Sequence, residues 1–405
     1  MESATIEIHK KLDVNLRYKW DQFVSNASPF LQYDYCEIID STLGKDLSYR
    51  YVIFKKDGDW IGVAPMQVTS AITSNFDGNL PEDHALVKLL VQGLSFGKKK
   101  LEFKVIVVGN SLISGELGYL FDDKISIEER ARLIHNATLK IEQEEQESGS
   151  KISATIVKDF IGLTKEADAA FGSFGYFDFQ VDPCMVMPVL SSWKNFDDYL
   201  GDLNSKFRTK AKAALKRSKD IEIKELSSGE IDLHKEKIQV LYDQVYAKAD
   251  FKMGQLNPDS FRELKAQWAD HFFFKGFFLK DEMIAFQTGF YCDGTLEAHM
   301  VGIDYSFNHE YALYPTMLYS YIDVAISKRF ENISFGRTAM EIKSSVGAQD
   351  QSLHCFIRHR KTMPNKFLGL LFGFVKPAEH ELRNPWKKET LDIHPELLNS
   401  GLKKK

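Results

Sequence analysis

The sequence predicts a mixed α+β fold: two tandem units whose mixed, largely antiparallel central sheets are flanked by helices. Three observations predict it. The chain of 405 residues is 44% hydrophobic and 27% charged, a globular composition with ample material for more than one core. Its β-rich runs come as hairpins, joined at Lys56-Asp57-Gly58-Asp59, Lys280-Asp281 and Asp293-Gly294. One rhythm of helices, an antiparallel hairpin, a further strand, a helix and a strand occurs twice, on either side of a boundary near Pro188 to Trp193. The expected domains are 1–190 and 191–376, followed by a polar, irregular tail, 377–405.

Each element has its own signal. Thr5 to His9 alternates as a strand, and helices follow at Leu16 to Val24 and, after Pro29, at Tyr33 to Ser41. Ser48 to Thr69 is the first hairpin. A weaker segment holds an acidic turn, Pro81-Glu82-Asp83, and a helix through Leu94. "FKVIVVG" is a buried strand. Ser126 and Glu129 form a Ser-x-x-Glu start for a long amphipathic helix. "KISATIV" and "FDFQVDPCMVMPV" are strands around a short helix. The second unit opens with a helix broken near Gly201, the strand "IEIKEL", and helices at Ile231 to Lys248 and Asp259 to His271. A strand series from Phe272 to Asp304, a helix from Tyr314, the strand Ile333 to Phe335 and a closing strand Leu353 to His359 complete it.

Composition narrows the function classes. A net charge of -5 carries no global nucleic-acid signature. The four cysteines, Cys36, Cys184, Cys292 and Cys355, form no CxxC pair and read as reduced thiols of a cytosolic protein. The N-terminal residues lack a basic region followed by an apolar run, and no apolar stretch is long enough to span a bilayer. The expected location is the cytoplasm, extending to the inner face of the membrane. "NKFLGLLFGFVK", 365–376, is either a membrane-interface segment or a core-packing helix.

Candidate chemistry gathers in the second half. Lys343 follows Glu341 by two residues, so an extended segment points both to one face, as an exposed ion pair or as a cation for a phosphate, carboxylate or carbonyl. Arg337 follows Gly336 at a strand's C-terminal end, where its fork suits a phosphate. Glu297 and His299 alternate onto one face of "TLEAHMVGI", as a proton-accepting pair or as buried, hydrogen-bonded groups. Tyr314, before Pro315, offers a hydroxyl to a leaving group, or packs with Tyr311, Tyr319 and Tyr321. Residues 204–219 carry seven Lys or Arg in sixteen, with Lys206, Arg208 and Lys210 among them, as a phosphate-binding or a solvated face. Aromatic interleaving is too sparse there for a single-strand nucleic-acid groove.

Three stretches carry a family resemblance. "FDDYLGDLNSKFRTKAKAALKRSKDIEIKEL", "GFFLKDEMIAFQTGFYCDGTLEAHMVGID" and "EYALYPTMLYSYIDVAISKRFENISFGRTAMEIKSSVGA" together resemble the FemAB-like branch of the GNAT acyltransferase superfamily, which includes peptidoglycan biosynthesis/recognition proteins. The resemblance covers Phe196 to Arg360; the first half matches by rhythm alone. It implies two GNAT-like domains with the second catalytic, and direct acyl transfer to an amine without a covalent nucleophile. The implied donor is an acyl-CoA or acyl carrier protein, with no metal, and the acceptor an amine of an amphiphilic or cell-envelope molecule. Lys343, Glu297, His299, Tyr314 and Glu341 are its implied catalytic set, and Arg337, Lys206, Arg208 and Lys210 its donor-binding set. The rival implication is transfer from aminoacyl-tRNA to a peptidoglycan precursor, the one nucleic-acid partner in view. A third is a lipid- or glycan-binding protein without catalysis. Classical GNAT enzymes hold the CoA pyrophosphate with a glycine-rich loop; here the corresponding "YSFNHEYALYPT" has no glycine.

Overall fold

A computed structural model describes residues 4–44, 46–72, 102–248, 254–372 and 380–398. The acidic turn and helix expected at 81–94 lie outside them. In chain order the strands are β1 (Thr5–His9), β2 (Leu47–Lys56), β3 (Asp59–Ile72), β4 (Glu102–Val108), β5 (Leu120–Phe121), β6 (Ile152–Ile161) and β7 (Phe177–Pro188). They continue with β8 (Ile221–Glu225), β9 (Phe272–Leu279), β10 (Glu282–Cys292), β11 (Thr295–Ile303), β12 (Asn332–Ser334) and β13 (Gln349–His359).

The chain forms two compact units. One takes Met1–Asp182, Asp250–Gln255 and Ser352–Ala378; the other takes Pro183–Ala249, Leu256–Gln351 and Glu379–Lys405. The expected division at 190 and 376 is corrected at both ends. β7 passes from the first unit to the second at Asp182, and β13 carries the chain back at Ser352. The reason is pairing: Leu353 to His359 run antiparallel to β6, so the strand read as closing the second sheet closes the first.

In the first unit the order is β1-β2-β3-β4-β6-β13, antiparallel except for the parallel pair β4 and β6. The helix Ile127–Glu147 covers it, with Leu133, Ile134, Ala137 and Ile141 fully buried against Val52, Phe54 and Ile106. Ser126 caps this helix by accepting a hydrogen bond from the Glu129 amide, as the Ser-x-x-Glu pattern implies. The segment 365–376 belongs to this unit through the helix Thr362–Phe372. Leu368 packs against Val105, Ile156 and Ile357, so the core-packing alternative holds at that position.

The second unit runs β7-β12-β11-β10-β9-β8, antiparallel except for β11 and β12. Helix Leu313–Ser327 packs on one face through Tyr321, Ile322 and Ala325. Helices Lys235–Ala247 and Pro258–Gln267 cover the other with Tyr242 and Phe261, which meet Phe274 and Phe286 edge-on or tilted. The helix expected to break near Gly201 ends at Asp202. Leu203 there makes a β-bridge to Trp386 before a second helix, Ser205–Arg217.

That bridge corrects the reading of the tail as irregular. Trp386 is 4% exposed and Leu397 fully buried in the second unit's core, beside Trp193 and Tyr199. Gly347 makes room for the indole: its φ is +112°, and a Cβ there would stand 2.1 Å from the Trp386 ring. Replacing Trp386 by Ala is expected to destabilise the second unit by about 3–5 kcal/mol, read as a lower urea midpoint. An unchanged midpoint would show that the C-terminal segment is not part of this core.

Candidate active site

The parallel pair β11 and β12 is short. Thr295, Leu296 and Glu297 stand opposite Asn332, Ile333 and Ser334, and the pairing stops there. Beyond it β12's direction is continued along β7: Phe335 N–H donates to Met185 O (2.8 Å) and Met185 N–H to Gly336 O (3.1 Å). β11 goes on to Ile303 paired with β10 alone among the described residues. The two strands therefore part at Glu297 and Ser334, leaving one edge of Ala298 to Ile303 without a strand partner among the described residues. An extended ligand can dock to such an edge.

A buried ammonium holds the turn that turns away. Lys343 is 4% exposed, and its Nζ donates to the carbonyls of Phe335 (2.7 Å), Gly336 (3.2 Å) and Arg337 (2.8 Å). An ammonium has three donors, and all are used. The turn needs the support, because Gly336, Thr338 and Ala339 all have positive φ, at 66°, 74° and 50°. For β-branched Thr338 that conformation is strained. Burial pushes the Lys343 ammonium down to about 8, and Cys184 nearby pulls it back up.

This corrects the expected pairing of Lys343 with Glu341. Met340–Ser344 is a short helix, not an extended segment, so positions two apart diverge. Glu341 is exposed and pairs with Arg383 of the C-terminal segment. Arg337 is half-buried on the clamped turn and contributes its carbonyl to Lys343.

Glu297 and His299 share a face, as their spacing implies. Their neighbours Leu296 and Ala298 turn to the helix Leu313–Ser327, while the His299 ring lies 4.8 Å from Phe290, itself 5.7 Å from Trp268. Burial pushes the Glu297 carboxyl up to about 7, and a hydrogen bond with Ser334 pulls it partly back. Ser334 Oγ lies 3.4 Å from Cys184 Sγ, both buried. A line of polar groups thus crosses three strands on one face: Glu297, Ser334, Cys184, and Lys343 beyond. Burial lowers the His299 imidazole to about 3, so it is neutral at physiological pH.

The other expected residues fall elsewhere. Tyr314 belongs to the helix on the opposite face, half-buried against Leu313 and Met317, and burial raises its phenol. Its side chain does not join Glu297 and His299. Lys206 and Lys210 are exposed and straddle the Phe207 ring, each Nζ 5.6 Å from its centroid; Arg208 is partly buried on the same helix. The residues sequence reasoning missed are Ser334, Cys184 and Thr288. Their only signal is a hydroxyl or thiol inside an apolar strand.

No family model and no curated protein matches the chain. Solved structures do. Over 89% of this chain and 99% of that one, it resembles FemX with a TM-score of 0.51 at 13% identity. Over 88% of this chain and 98% of that one, it resembles a tandem GNAT protein from the clavulanic acid biosynthesis pathway, with a TM-score of 0.51 at 7% identity. The chain has a GNAT/FemAB-like fold. In this GNAT-like second unit the loop without glycine forms the helix Tyr305–Tyr311, and Asn308 Oδ1 accepts the Tyr314 amide at 3.0 Å. A first-turn amide of the following helix, one of the donors an anion would use, is thereby already bound. Among the described residues no group of three or more His, Cys, Asp and Glu could hold a metal ion, and no helix is long and apolar enough to cross a membrane.

Two outcomes follow from this geometry. Lys343→Met removes three charge-assisted hydrogen bonds from the turn's carbonyls and is expected to cost about 2–4 kcal/mol, measured by urea unfolding; a cost below about 0.5 kcal/mol would contradict the clamp. Glu297 titrates higher in the fold than its ordinary 4.5, so its contribution to stability is complete below pH 4.5 and is lost as pH rises through about 7. Glu297→Gln is therefore expected to match wild type in melting temperature at pH 4 and to exceed it at pH 8. Equal melting temperatures at both pH values would place the carboxylate in water.

Proposed function

We propose that the protein is an N-acyltransferase that moves an activated acyl group onto an amine in its second unit. The observation that carries this reading is the parting of β11 and β12 at a half-buried carboxyl whose affinity for protons lies near neutrality. The acyl donor lies along the free edge of β11 with its carbonyl near Glu297. Glu297 takes a proton from the acceptor's nitrogen, which attacks the carbonyl carbon. The new C–N bond forms as the C–S bond of a thioester, or the C–O bond of an ester, breaks, and the leaving group departs with a proton.

The likeness to FemX and to a tandem GNAT protein agrees with a transferase, at identities that speak only to fold. The donor class divides two readings. An acyl-CoA or acyl carrier protein suits the strand edge, with an amphiphilic or cell-envelope amine as acceptor. Aminoacyl-tRNA is favoured by two facts: Asn308 occupies an amide at the helix N-terminus, and Lys206, Lys210, Lys212, Lys216 and Lys219 stand exposed without an ion pair among the described residues.

The test runs both donors against the same variant. Thiol release from a panel of acyl-CoAs and acyl carrier proteins, and label transfer from charged tRNA, are measured for wild type and Glu297→Gln. Wild type is expected to use one donor class, with a rate that rises through an apparent pKa near 7. The variant is expected to lose about 10²–10⁴-fold in turnover. Full activity in the variant would remove Glu297 as the base, and no turnover with either class in wild type would favour a binding protein.

A further inference from the structure

The strand that carries Glu297 also carries a β-bulge. Ala298 is opposite Gly289 and Val301 opposite Gln287, so two residues of β11, His299 and Met300, face the single Thr288 of β10. The Thr288 hydroxyl binds both ends of the bulge. It lies 2.9 Å from the Met300 amide, 3.1 Å from the Met300 carbonyl and 3.2 Å from His299 Nδ1.

Hydrogen-bond accounting fixes the protons. A threonine hydroxyl has one proton and two lone pairs. The Met300 amide must donate to it, and the Met300 carbonyl can only accept from it. That uses the one proton and one lone pair, and the remaining lone pair faces His299 Nδ1. The reverse assignment, with Thr288 donating to Nδ1, would set the Met300 carbonyl against an oxygen lone pair at 3.1 Å with no proton between them. His299 therefore carries its proton on Nδ1 and leaves Nε2 as a bare lone pair. Nε2 is buried and has no partner among the described residues. A buried acceptor left unpaired is destabilising, so the arrangement marks a place where a donor is to be received.

We propose that Thr288 is a positioning residue that locks His299 as the Nδ1–H tautomer, so that Nε2 accepts an N–H of the incoming amine beside Glu297. This rests on the transferase reading and deepens it. Glu297 takes one proton from the nitrogen, and His299 accepts a hydrogen bond from a second N–H and aims the remaining lone pair. The division requires a nitrogen that carries at least two N–H bonds in the form Glu297 deprotonates, which a primary amine supplies. The low basicity of His299 suits it to orient rather than to deprotonate.

The experiment is ¹⁵N NMR of histidine-labelled full-length protein, with His299→Gln to assign the resonances. Wild type is expected to show protonated Nδ1 and bare Nε2 for His299 from pH 5 to 8. Thr288→Ser should keep that tautomer, and Thr288→Val should move the proton to Nε2. Adding ethanolamine, a primary amine with neither acyl nor phosphate group, should shift the wild-type Nε2 resonance, and diethylmethylamine, which in its neutral form has no N–H, should shift it less at pH 11. A proton on Nε2 in wild type, a tautomer indifferent to Thr288→Val, or an Nε2 resonance unmoved by ethanolamine would each overturn the proposal. If Thr288→Val does not fold, the wild-type and Thr288→Ser spectra still decide the tautomer. The spectra need no turnover, so a failed tautomer and a failed transferase reading are told apart.

Discussion

One ammonium sets the geometry on which the second unit's site depends. Lys343 gathers three successive carbonyls, and those carbonyls belong to the turn where the chain leaves β11 and stays with β7. Without a cation there, a turn holding Gly336, Thr338 and Ala339 at positive φ would set carbonyl dipoles side by side and lose the charge that offsets their repulsion. With it, β12 ends after three residues and β11 keeps a free edge. The lysine shapes the turn, and its ammonium faces the chain's own carbonyls. Its fully used donors leave none to polarise a carbonyl.

The remaining groups on that face follow from the strand order. Because β7, β12 and β11 lie side by side, Cys184, Ser334 and Glu297 fall into one row. A carboxyl enclosed in this row, with one hydroxyl as its partner, keeps its proton to near neutral pH. The same carboxyl in water would be ionised and a weak base. The chain pays attention to the opposite face differently: Tyr314 and Tyr321 there serve the core, with the Tyr321 hydroxyl donating to the Thr288 carbonyl at 2.6 Å. Thr288 is thus held from one side of the sheet while its own hydroxyl organises the other.

Much of this was legible in the sequence, and the limits have physical causes. The hairpins were readable because alternation and Asp-Gly turns are local, and Glu297 and His299 were placed on one face by the same alternation. The partnership of Lys343 and Glu341 was not readable, because a helix of five residues is too short to show a period. The return of β13 to the first unit was hidden for a different reason: its pairing with β6 joins residues nearly two hundred apart, and register between distant strands leaves no local trace. The tail was misjudged because one tryptophan and one leucine among charged residues carry its burial. Thr288, Ser334 and Cys184 take their importance wholly from which strands lie beside them.

The central claim is that the free edge of β11 beyond Glu297 receives the acyl donor. Hydrogen–deuterium exchange of the peptide covering Ala298 to Ile303, with and without the donor that supports turnover, tests it most directly. Slower exchange in that peptide on donor binding is the result the account requires. Protection confined to other segments, with Ala298 to Ile303 exchanging as in the free protein, would contradict it.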